Sequence, residues 1–310
     1  MKVLLPDSVP LDLDLPGGVV YAVDQPVPEE HTDAGALVVW GNSAAQLRDA
    51  ARRLTRLRWV QALAAGPDVV LAAGFADDVV ITSGAGLHDR TVAEHTLALT
   101  LAAARRLNLL VRAQIGHRWA GEWGGRQPVR EDHNFRTLRD AHVVIWGFGG
   151  IAATLAPHLA ALGARVTGVA RTAGTRHGFP TVTAADLPSL LPAADVLVNI
   201  LPATPDTARI VDARVLGLLP AHAWLINVGR GHTVDEDALL AALRSNRLAG
   251  AALDVFETEP LPPTSPLWDE PNVLISPHAA GGRPLGAADR IRENLDALLA
   301  GRPLTHVVAR

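Results

Sequence analysis

The sequence predicts an α/β fold made of two doubly wound parallel sheets, and two observations lead to this fold class. Short apolar runs of strand length alternate with amphipathic helical runs along almost the whole chain, which is typical of parallel sheets covered by helices. The chain has 310 residues, more than one hydrophobic core normally supports, so two domains are expected.

The first third of the chain predicts one such sheet and the helix that leaves it. A helix through Leu47, Leu54 and Leu57 is expected after the first strand, and a longer helix is expected from Thr91 to about Leu107. The stretch from Gln114 to Arg130 is rich in Gly, Trp and Arg and lacks periodicity, so it is expected to be an extended arm. The strands are expected at Leu37–Trp40, Trp59–Leu63 and Val79–Thr82.

From His142 onward the alternation becomes regular and predicts the second sheet. A helix is expected from Gly150 to Leu162, and Gly163 can end it. Another helix has Asp235–Asp237 on its first turn and ends near Arg244, which matches the direction of its dipole. The strands are expected at 142–146, 165–169, 196–200, 223–227, 251–255 and 273–276.

Composition and charge exclude several classes of function. The formal net charge of −4 shows no basic excess, so neither nucleic acid nor an anionic membrane surface is an expected partner. There is no cysteine, which excludes disulfides, thiolate catalysis and cysteine-bound zinc, and no His, Asp or Glu set has the spacing of a metal site. With neither a signal-peptide core nor an apolar run of roughly 20 residues, the protein is expected to be soluble and cytoplasmic.

A glycine-rich loop joins one predicted strand to the helix after it. Gly147 and Gly149, with Ala152 in place of a third glycine, have the spacing of a dinucleotide-binding fingerprint in the context it requires. Such a loop presents backbone amides and a helix N-terminus to a pyrophosphate, whereas the alternative is a glycine turn with no ligand. The residues expected to contact a cofactor here are Gly147, Phe148, Gly149, Gly150 and Ile151.

The position that usually hydrogen-bonds the adenosine ribose lacks the acidic residue of the simplest dinucleotide-binding pattern. An acidic residue is expected about 20 residues after the loop, but Ala170 stands there and Arg171 follows. Arg171, Thr172 and Arg176 form a cationic, hydroxyl-bearing rim that suits a 2′-phosphate, unless they belong to an ordinary solvated loop. The prediction is therefore a preference for NADP, with some use of NAD retained.

Three further side chains can carry acid–base and carboxylate-binding chemistry. Arg230 stands between two glycines at the end of a predicted strand, where it can grip a carboxylate with two hydrogen bonds. The flanking glycines are expected to permit an unusual backbone path and to leave space for substrate. His278 is the candidate proton donor, and Glu259 its expected partner, with Glu257 as the competing carboxylate. Other histidines lack such a setting, namely His88, His95, His117, His133 and His232.

With these residues in place, the chain resembles the D-isomer-specific 2-hydroxyacid dehydrogenase family over nearly its full length. Besides the glycine loop, the similar segments are 59–68, 92–95, 201–207, 227–231, 254–260 and 276–278. The resemblance implies a Rossmann NAD(P)-binding domain at 85–283, inserted into a flavodoxin-like substrate-binding domain at 1–84 and 284–310. Catalysis would take place in the cleft between the domains, and a homodimer would form on the cofactor domain.

The resemblance also implies roles for single residues. Arg230 would bind the substrate, Glu259 would partner His278 as the proton donor, and Asp254 would hold the nicotinamide carboxamide. The cofactor would also be lined by Pro202, Thr207 and Val228. The substrate carboxylate would be held by backbone amides at Ala64, Ala65 and Gly66.

The implied activity is hydride transfer between NAD(P)H and a small 2-keto acid, with glyoxylate or hydroxypyruvate as the expected substrate. A formate dehydrogenase is disfavoured because those enzymes have glutamine where this chain has Glu259. A phosphoglycerate dehydrogenase with amino-acid feedback is disfavoured because no regulatory domain is expected after residue 310. A non-catalytic, dinucleotide-sensing protein of the same fold is the third alternative.

Overall fold

The computed structural model describes residues 1–124, 130–131 and 134–308. The chain divides into two compact units, the first formed by residues 1–88 together with the segment from Gly282 onward, and the second by Asp89–Gly281. The corresponding domain boundaries expected from the sequence were 84/85 and 283/284. Part of the predicted arm and His133 lie outside the described residues.

The elements are numbered along the chain. The strands are β1 Val3–Pro6, β2 Gly18–Tyr21, β3 Ala36–Val39, β4 Trp59–Ala62, β5 Val80–Thr82, β6 Arg130–Glu131, β7 Asn134–Phe135, β8 His142–Trp146, β9 Arg165–Val169, β10 Gly174–Arg176, β11 Phe179–Val182, β12 Val196–Asn199, β13 Trp224–Asn227, β14 Gly250–Leu253 and β15 Val273–Ile275. The α-helices are α1 Ala44–Arg53, α2 Asp68–Leu71, α3 Asp89–Ala104, α4 Leu107–Ile115, α5 Gly150–Ala161, α6 Leu187–Leu190, α7 Ala213–Leu218, α8 Glu236–Arg244 and α9 Ala287–Leu299.

The first unit contains a five-stranded parallel sheet in the order β2-β1-β3-β4-β5. This is a flavodoxin-like order, as the resemblance to the family implies. Buried side chains cover both faces, with Leu47 of α1 packed on Leu37 and its neighbours, and Ile291 of α9 packed on the side of Trp59. The helix formed by the returning segment therefore completes the core of this unit.

The second unit contains an eight-stranded sheet in the order β10-β11-β9-β8-β12-β13-β14-β15. All neighbours are parallel except β10, which pairs antiparallel with β11. If only the parallel strands are counted from β8, their order is 3-2-1-4-5-6-7, which is the Rossmann order with β15 as one further strand at the end. The strand order reverses between β8 and β12, which are neighbours in the sheet. Two buried clusters lie on opposite faces of this sheet, so the predicted fold class is confirmed.

Several predicted boundaries are wrong for local reasons. The helix expected from Thr91 to Leu107 ends at Ala104, because Arg106 adopts a left-handed backbone with φ 53° before α4 begins. Gln114 therefore belongs to α4 rather than to an irregular arm. The helix expected to reach Leu57 ends at Arg53, with Leu54 as its C-cap.

Strands β1, β2, β6, β7, β10 and β11 have no counterpart among the predictions. Each has two to four residues, and in β2, at the sheet edge, Val20 is 66% exposed. In the described part of the chain, none of the helices is both long and apolar enough to cross a membrane.

Candidate active site

The glycine loop between β8 and α5 has the shape of a phosphate cradle. Gly147 has φ +100°, and a Cβ atom there would lie 2.8 Å from the carbonyl oxygen of Ile200, so a side chain is excluded twice. Gly149 is the N-cap of α5 and has no side chain with which to cap the helix. A Cβ atom built on Gly149 would meet no atom within 4 Å. The helix N-terminus thus borders open space at Gly149, which fits a dinucleotide pyrophosphate, whereas the Asp89 carboxylate lies where a Cβ of Gly150 would be.

The other residues of the loop differ in what they can offer a ligand. The Phe148 side chain is buried, with its ring centroid 6.3 Å from that of Phe179, so it packs in the core and leaves only its backbone for a cofactor. Gly150 is exposed and Ile151 is half-buried at the start of α5. The backbone therefore carries the predicted contact, with Ile151 as a partly accessible side chain.

The cationic rim follows β9 at the edge of the sheet. Ala170 donates its amide to the carbonyl of Val182 at 2.9 Å, and Arg171 and Thr172 are exposed beyond it. Arg176 on β10 donates from Nη2 to Thr172 Oγ1 at 2.6 Å. The structure thus brings Arg176 and Thr172 together and leaves the rim open to solvent.

A buried polar network shapes the loop that carries Arg230. Asn199 Nδ2 donates to Asn227 Oδ1 at 3.1 Å and to Thr233 Oγ1 at 2.6 Å, and all three side chains are buried. Thr233 Oγ1 in turn donates to the carbonyl of Arg230 at 2.6 Å. Because a buried, satisfied network has one low-energy arrangement, it fixes the backbone from which the half-buried Arg230 side chain extends.

The glycines on both sides of Arg230 serve close packing, not the unusual backbone path expected from the sequence. Neither has a left-handed φ. A Cβ on Gly229 would lie 2.6 Å from the carbonyl oxygen of Leu201, and one on Gly231 would lie 1.8 Å from the carbonyl carbon of Phe256. The three loops that follow β12, β13 and β14 are therefore in backbone contact around Arg230.

Pro202, Thr207 and Val228 occupy the same end of the sheet. Thr207 Oγ1 donates to the carbonyl of Pro202 at 2.6 Å and closes a tight turn after β12. The Val228 amide donates to the carbonyl of Asn199 at 3.1 Å, and its side chain is buried in the core. Side-chain contact with a cofactor is thus open to Pro202 and Thr207, while Val228 offers mainly backbone.

The structure brings His278 and Glu259 together. His278 Nδ1 lies 2.7 Å from Glu259 Oε2, and Glu259 Oε1 accepts the Phe256 amide at 2.9 Å. The hydrogen bond to Glu259 raises the pKa of His278 above its usual range, although burial acts in the opposite direction. Burial alone would raise the pKa of Glu259, but the bonds from His278 and Phe256 hold it below its usual range.

Glu257, the competing carboxylate, points to a different partner. Its Oε2 accepts from Arg209 Nη2 at 3.0 Å, and its amide donates to Glu236 Oε1 at 2.6 Å. This places Glu257 between the loop after β12 and the first turn of α8. Glu259 is the carboxylate in hydrogen-bond contact with the imidazole of His278.

Asp254 is buried beneath the loop that carries His278, with only 1% of its surface exposed. Its Oδ1 accepts from Ser276 Oγ at 2.6 Å and from the Ala279 amide at 2.8 Å, and its Oδ2 accepts the Ala280 amide at 3.0 Å. Burial opposes its ionisation, but hydrogen bonds led by those from His95 and Ser276 bring its pKa down to about 2. Asp254 is therefore an anion at neutral pH.

Ala64, Ala65 and Gly66 lie in the first unit, after β4, and are half-buried. The carbonyl of Ala64 accepts the Gly84 amide at 2.8 Å, which ties this loop to the end of β5. Within the described residues, no group of three or more His, Cys, Asp or Glu side chains has the arrangement of a metal site.

Comparisons with known proteins identify the family. Residues 97–280 match the D-isomer specific 2-hydroxyacid dehydrogenase NAD binding domain. Glyoxylate/hydroxypyruvate reductase A of Serratia proteamaculans is 36% identical over 265 residues, which are 82% of this chain and 80% of the relative. The chain belongs to the D-isomer-specific 2-hydroxyacid dehydrogenase family.

Solved structures of family members cover the whole chain. A member from Xanthobacter autotrophicus, in complex with NADPH and MES, has a TM-score of 0.81 at 32% identity and covers 100% of this chain and 98% of its own. The NADPH-dependent glyoxylate/hydroxypyruvate reductase of Sinorhizobium meliloti, in complex with NADP and sulfate, has a TM-score of 0.81 at 29% identity and covers 99% and 98%. As a family member, the protein is an NAD(P)-dependent 2-hydroxyacid dehydrogenase.

Sequence reasoning missed one residue of this site. On sequence His95 lacks a functional setting, yet its Nε2 lies 3.0 Å from Ser276 Oγ and 3.4 Å from Asp254 Oδ1. The available signal was its place in the family-like segment 92–95 at the start of α3. The spacing of residues along α3 does not indicate which distant loop His95 will contact.

Proposed function

We propose that the protein reduces a small 2-keto acid, glyoxylate or hydroxypyruvate, with NADPH as the preferred cofactor and NADH as a weaker one. The observation that carries the proposal is the contact of 2.7 Å between His278 Nδ1 and Glu259 Oε2, in the same unit as Arg230 and the glycine loop. The reductase activities of the Serratia and Sinorhizobium relatives support the choice of substrates.

His278 supplies the proton in this reaction. Its Nδ1 is engaged by Glu259, so Nε2 is the nitrogen that donates to the keto oxygen as charge develops there. The raised pKa of His278 keeps more of the imidazole protonated near neutral pH, which favours reduction. Glu259 holds the ring in one orientation and stabilises its charged form.

Arg230 binds the carboxylate of the keto acid. A guanidinium forms two parallel hydrogen bonds with a carboxylate, which fixes both the position and the rotation of the substrate. The backbone amides at Ala64, Ala65 and Gly66 are proposed as further donors to that carboxylate. Orientation of the reacting carbonyl contributes to the rate because it replaces a random encounter with a fixed geometry.

The residues of the second unit fit a nicotinamide dinucleotide, which when bound supplies the hydride. The amides at the start of α5 would hold the pyrophosphate, Pro202 and Thr207 would line its path, and Asp254 would hold the nicotinamide carboxamide. Arg171 and Thr172 would receive the 2′-phosphate of NADP at the rim. The NADPH and NADP complexes of the Xanthobacter and Sinorhizobium proteins support this preference.

A homodimer is proposed on the face formed by α4. Ile115 is 75% exposed and Trp119 is 95% exposed, which is unfavourable for large apolar side chains in water. An apolar groove on α4 is lined by Leu107 and Val111 together with Trp268. Light scattering should give the dimer mass for the wild type and a smaller mass for Ile115→Asp, while Leu299→Asp, an exposed apolar site on α9, should leave the dimer intact.

The function is tested by steady-state assays of the purified protein with glyoxylate, hydroxypyruvate, pyruvate and formate, each with both cofactors. Reduction of glyoxylate or hydroxypyruvate with higher kcat/KM for NADPH than for NADH is expected. Oxidation of formate alone would support the formate dehydrogenase alternative. Cofactor binding by calorimetry without turnover of any 2-keto acid would favour a dinucleotide-sensing protein.

A further inference from the structure

Helix α3 contacts both ends of the loop that carries His278. Thr91 Oγ1 donates to the carbonyl of Gly281 at 2.6 Å, and His95 Nε2 lies 3.0 Å from Ser276 Oγ. Thr91 and His95 are four residues apart, so they share one face of the helix. The loop from Ser276 to Gly281 is therefore fixed at its start and at its end by the same rigid element.

The direction of the hydrogen bonds follows from the chemistry of the groups. Ser276 has one hydroxyl hydrogen, which it donates to the Asp254 carboxylate at 2.6 Å, so its oxygen can only accept from His95. His95 must then carry its proton on Nε2. The result is a directed chain in which His95 donates to Ser276 and Ser276 donates to the buried anion of Asp254.

Asp254 transmits this constraint to His278. The carbonyl of Asp254 accepts the His278 amide at 2.8 Å, and its carboxylate accepts the next two amides, those of Ala279 and Ala280. His278 has φ 53°, a left-handed conformation that costs free energy for any residue with a side chain. That conformation persists only because its surroundings fix it, and the hydrogen bonds of Asp254 are those surroundings.

We propose that His95 is a positioning residue for the reaction: through Ser276 and Asp254 it holds the loop in the conformation that directs His278 toward Glu259 and the substrate. The catalytic consequence of this inference rests on the proposed function. The role of His95 in holding the loop that carries His278 does not. Only 26% of the His95 side chain is exposed, and its Nε2 contacts Ser276 and Asp254. It acts through the loop, not on the substrate.

The test compares His95→Ala with His95→Gln. Alanine removes the donor and favours the helix, so the variant should fold. The amide nitrogen of glutamine reaches about as far as the imidazole Nε2 and can donate to Ser276. Glu94→Gln is the matched control, because Glu94 is the neighbouring residue on α3 and pairs with Arg90 at the surface.

Two measurements are made on each variant. The first is the pH titration of the His278 imidazole by NMR, with the signal assigned by its loss in His278→Ala. The charged groups that act on His278 are Glu259, Arg230 and Asp254, and the bond to Glu259 is the largest influence. The second is the steady-state rate of keto-acid reduction.

In His95→Ala the midpoint of the His278 titration should move to lower pH, because a loosened loop weakens the contact with Glu259. The kcat should fall roughly tenfold to a hundredfold, the effect of a small misplacement of a reacting group, with little change in KM or NADPH affinity. His95→Gln should restore most of both properties, and Glu94→Gln should match the wild type.

An unchanged His278 midpoint in His95→Ala overturns the inference, whether or not the wild type reduces a keto acid. A wild type that reduces no keto acid, in which His95→Ala still shifts the His278 midpoint, overturns the proposed function and leaves the positioning role standing. The two failures are therefore distinguishable.

Discussion

The two ends of the predicted dinucleotide site are built differently. At the nicotinamide end, Asn199, Asn227 and Asp254 are buried at the ends of adjacent strands, and each makes several hydrogen bonds within the protein. At the ribose end, Arg171 and Thr172 are exposed beyond β9. Proton transfer needs a fixed geometry that a buried network provides, whereas charge recognition of a phosphate works through mobile side chains.

This difference has consequences for substitution. A substitution at the nicotinamide end breaks hydrogen bonds between buried groups, and water cannot replace those bonds. Its effect on the rate of reduction should therefore be large and depend on pH. A change at the rim alters an exposed charge that solvent and salt already screen, so its effect should be smaller and depend on ionic strength. The experiments below test this contrast, from the largest expected effect to the smallest.

The largest effect is expected for His278→Ala. Loss of the proton donor should lower kcat by roughly a hundredfold to ten-thousandfold, the usual contribution of a positioned acid. NADPH affinity, measured by fluorescence or calorimetry, should stay close to that of the wild type. His158→Ala, which removes an exposed histidine from the last turn of α5, is the matched control.

A His278→Ala variant with near-normal turnover would remove His278 from the reaction. It would also break the contrast between the two ends, because the buried network would then serve packing alone.

The next effect concerns Arg230, whose loop is fixed by Asn199, Asn227 and Thr233. Lysine keeps the charge but loses the planar two-point contact, so Arg230→Lys should lower kcat/KM for the keto acid roughly tenfold to a hundredfold. NADPH affinity should change little. Arg244→Lys on α8, where the arginine pairs with Glu270 at the surface, should behave as the wild type. Equal kcat/KM in Arg230→Lys and the wild type would show that Arg230 does not bind substrate.

Much of the fold was predictable because its signals are local. The strands of the second sheet are apolar runs such as His142–Trp146, buried on both faces, and these are visible without knowing their neighbours. The helix break at Arg106 and the edge strand β2 were not predictable, since a left-handed residue and a half-exposed strand leave no periodic signal. Neither affects the order of strands that defines the fold class.

The site was predictable in its chemistry more than in its connections. His278, Glu259 and Arg230 could be named because each follows a strand that ends at the same edge of the sheet. The contact of His95 with Ser276 joins residues 181 positions apart, so it depends on tertiary packing that no spacing encodes. For the same reason the sequence suggested freedom of the backbone at Gly229 and Gly231, where the structure shows close packing.

A change in pH dependence is expected for Glu259→Gln. The proposed mechanism requires protonated His278, so the rate should fall as pH rises through its pKa, which the bond to Glu259 raises. An uncharged partner removes most of that effect, so the fall in kcat should begin at lower pH. The measurement is the pH profile of keto-acid reduction. Glu257→Gln should leave the profile in place, because Glu257 pairs with Arg209. A profile shifted by Glu257→Gln and not by Glu259→Gln would reverse the assignment.

The smallest effect is expected at the rim. Ala170 cannot accept a hydrogen bond from a ribose hydroxyl through its side chain, and Arg171 supplies a charge for a 2′-phosphate. Replacing Ala170 by Asp and Arg171 by Ser should reverse the preference from NADPH to NADH. The change in the ratio of the two kcat/KM values should be about tenfold, because one charge-assisted hydrogen bond at an exposed position is partly screened.

The dependence on salt distinguishes recognition of the 2′-phosphate by the charge of Arg171 from an effect of the shape of the site. The preference of the wild type for NADPH should narrow as ionic strength rises, since screening weakens an exposed ion pair more than a buried contact. Arg165→Ser, at the opposite end of β9, makes the same change in charge as Arg171→Ser alone and should leave the preference unaltered. Equal or better efficiency with NADH in the wild type at low salt would make Arg171 a solvated bystander. The ribose end would then not recognise the cofactor by charge, and the contrast with the nicotinamide end would not hold.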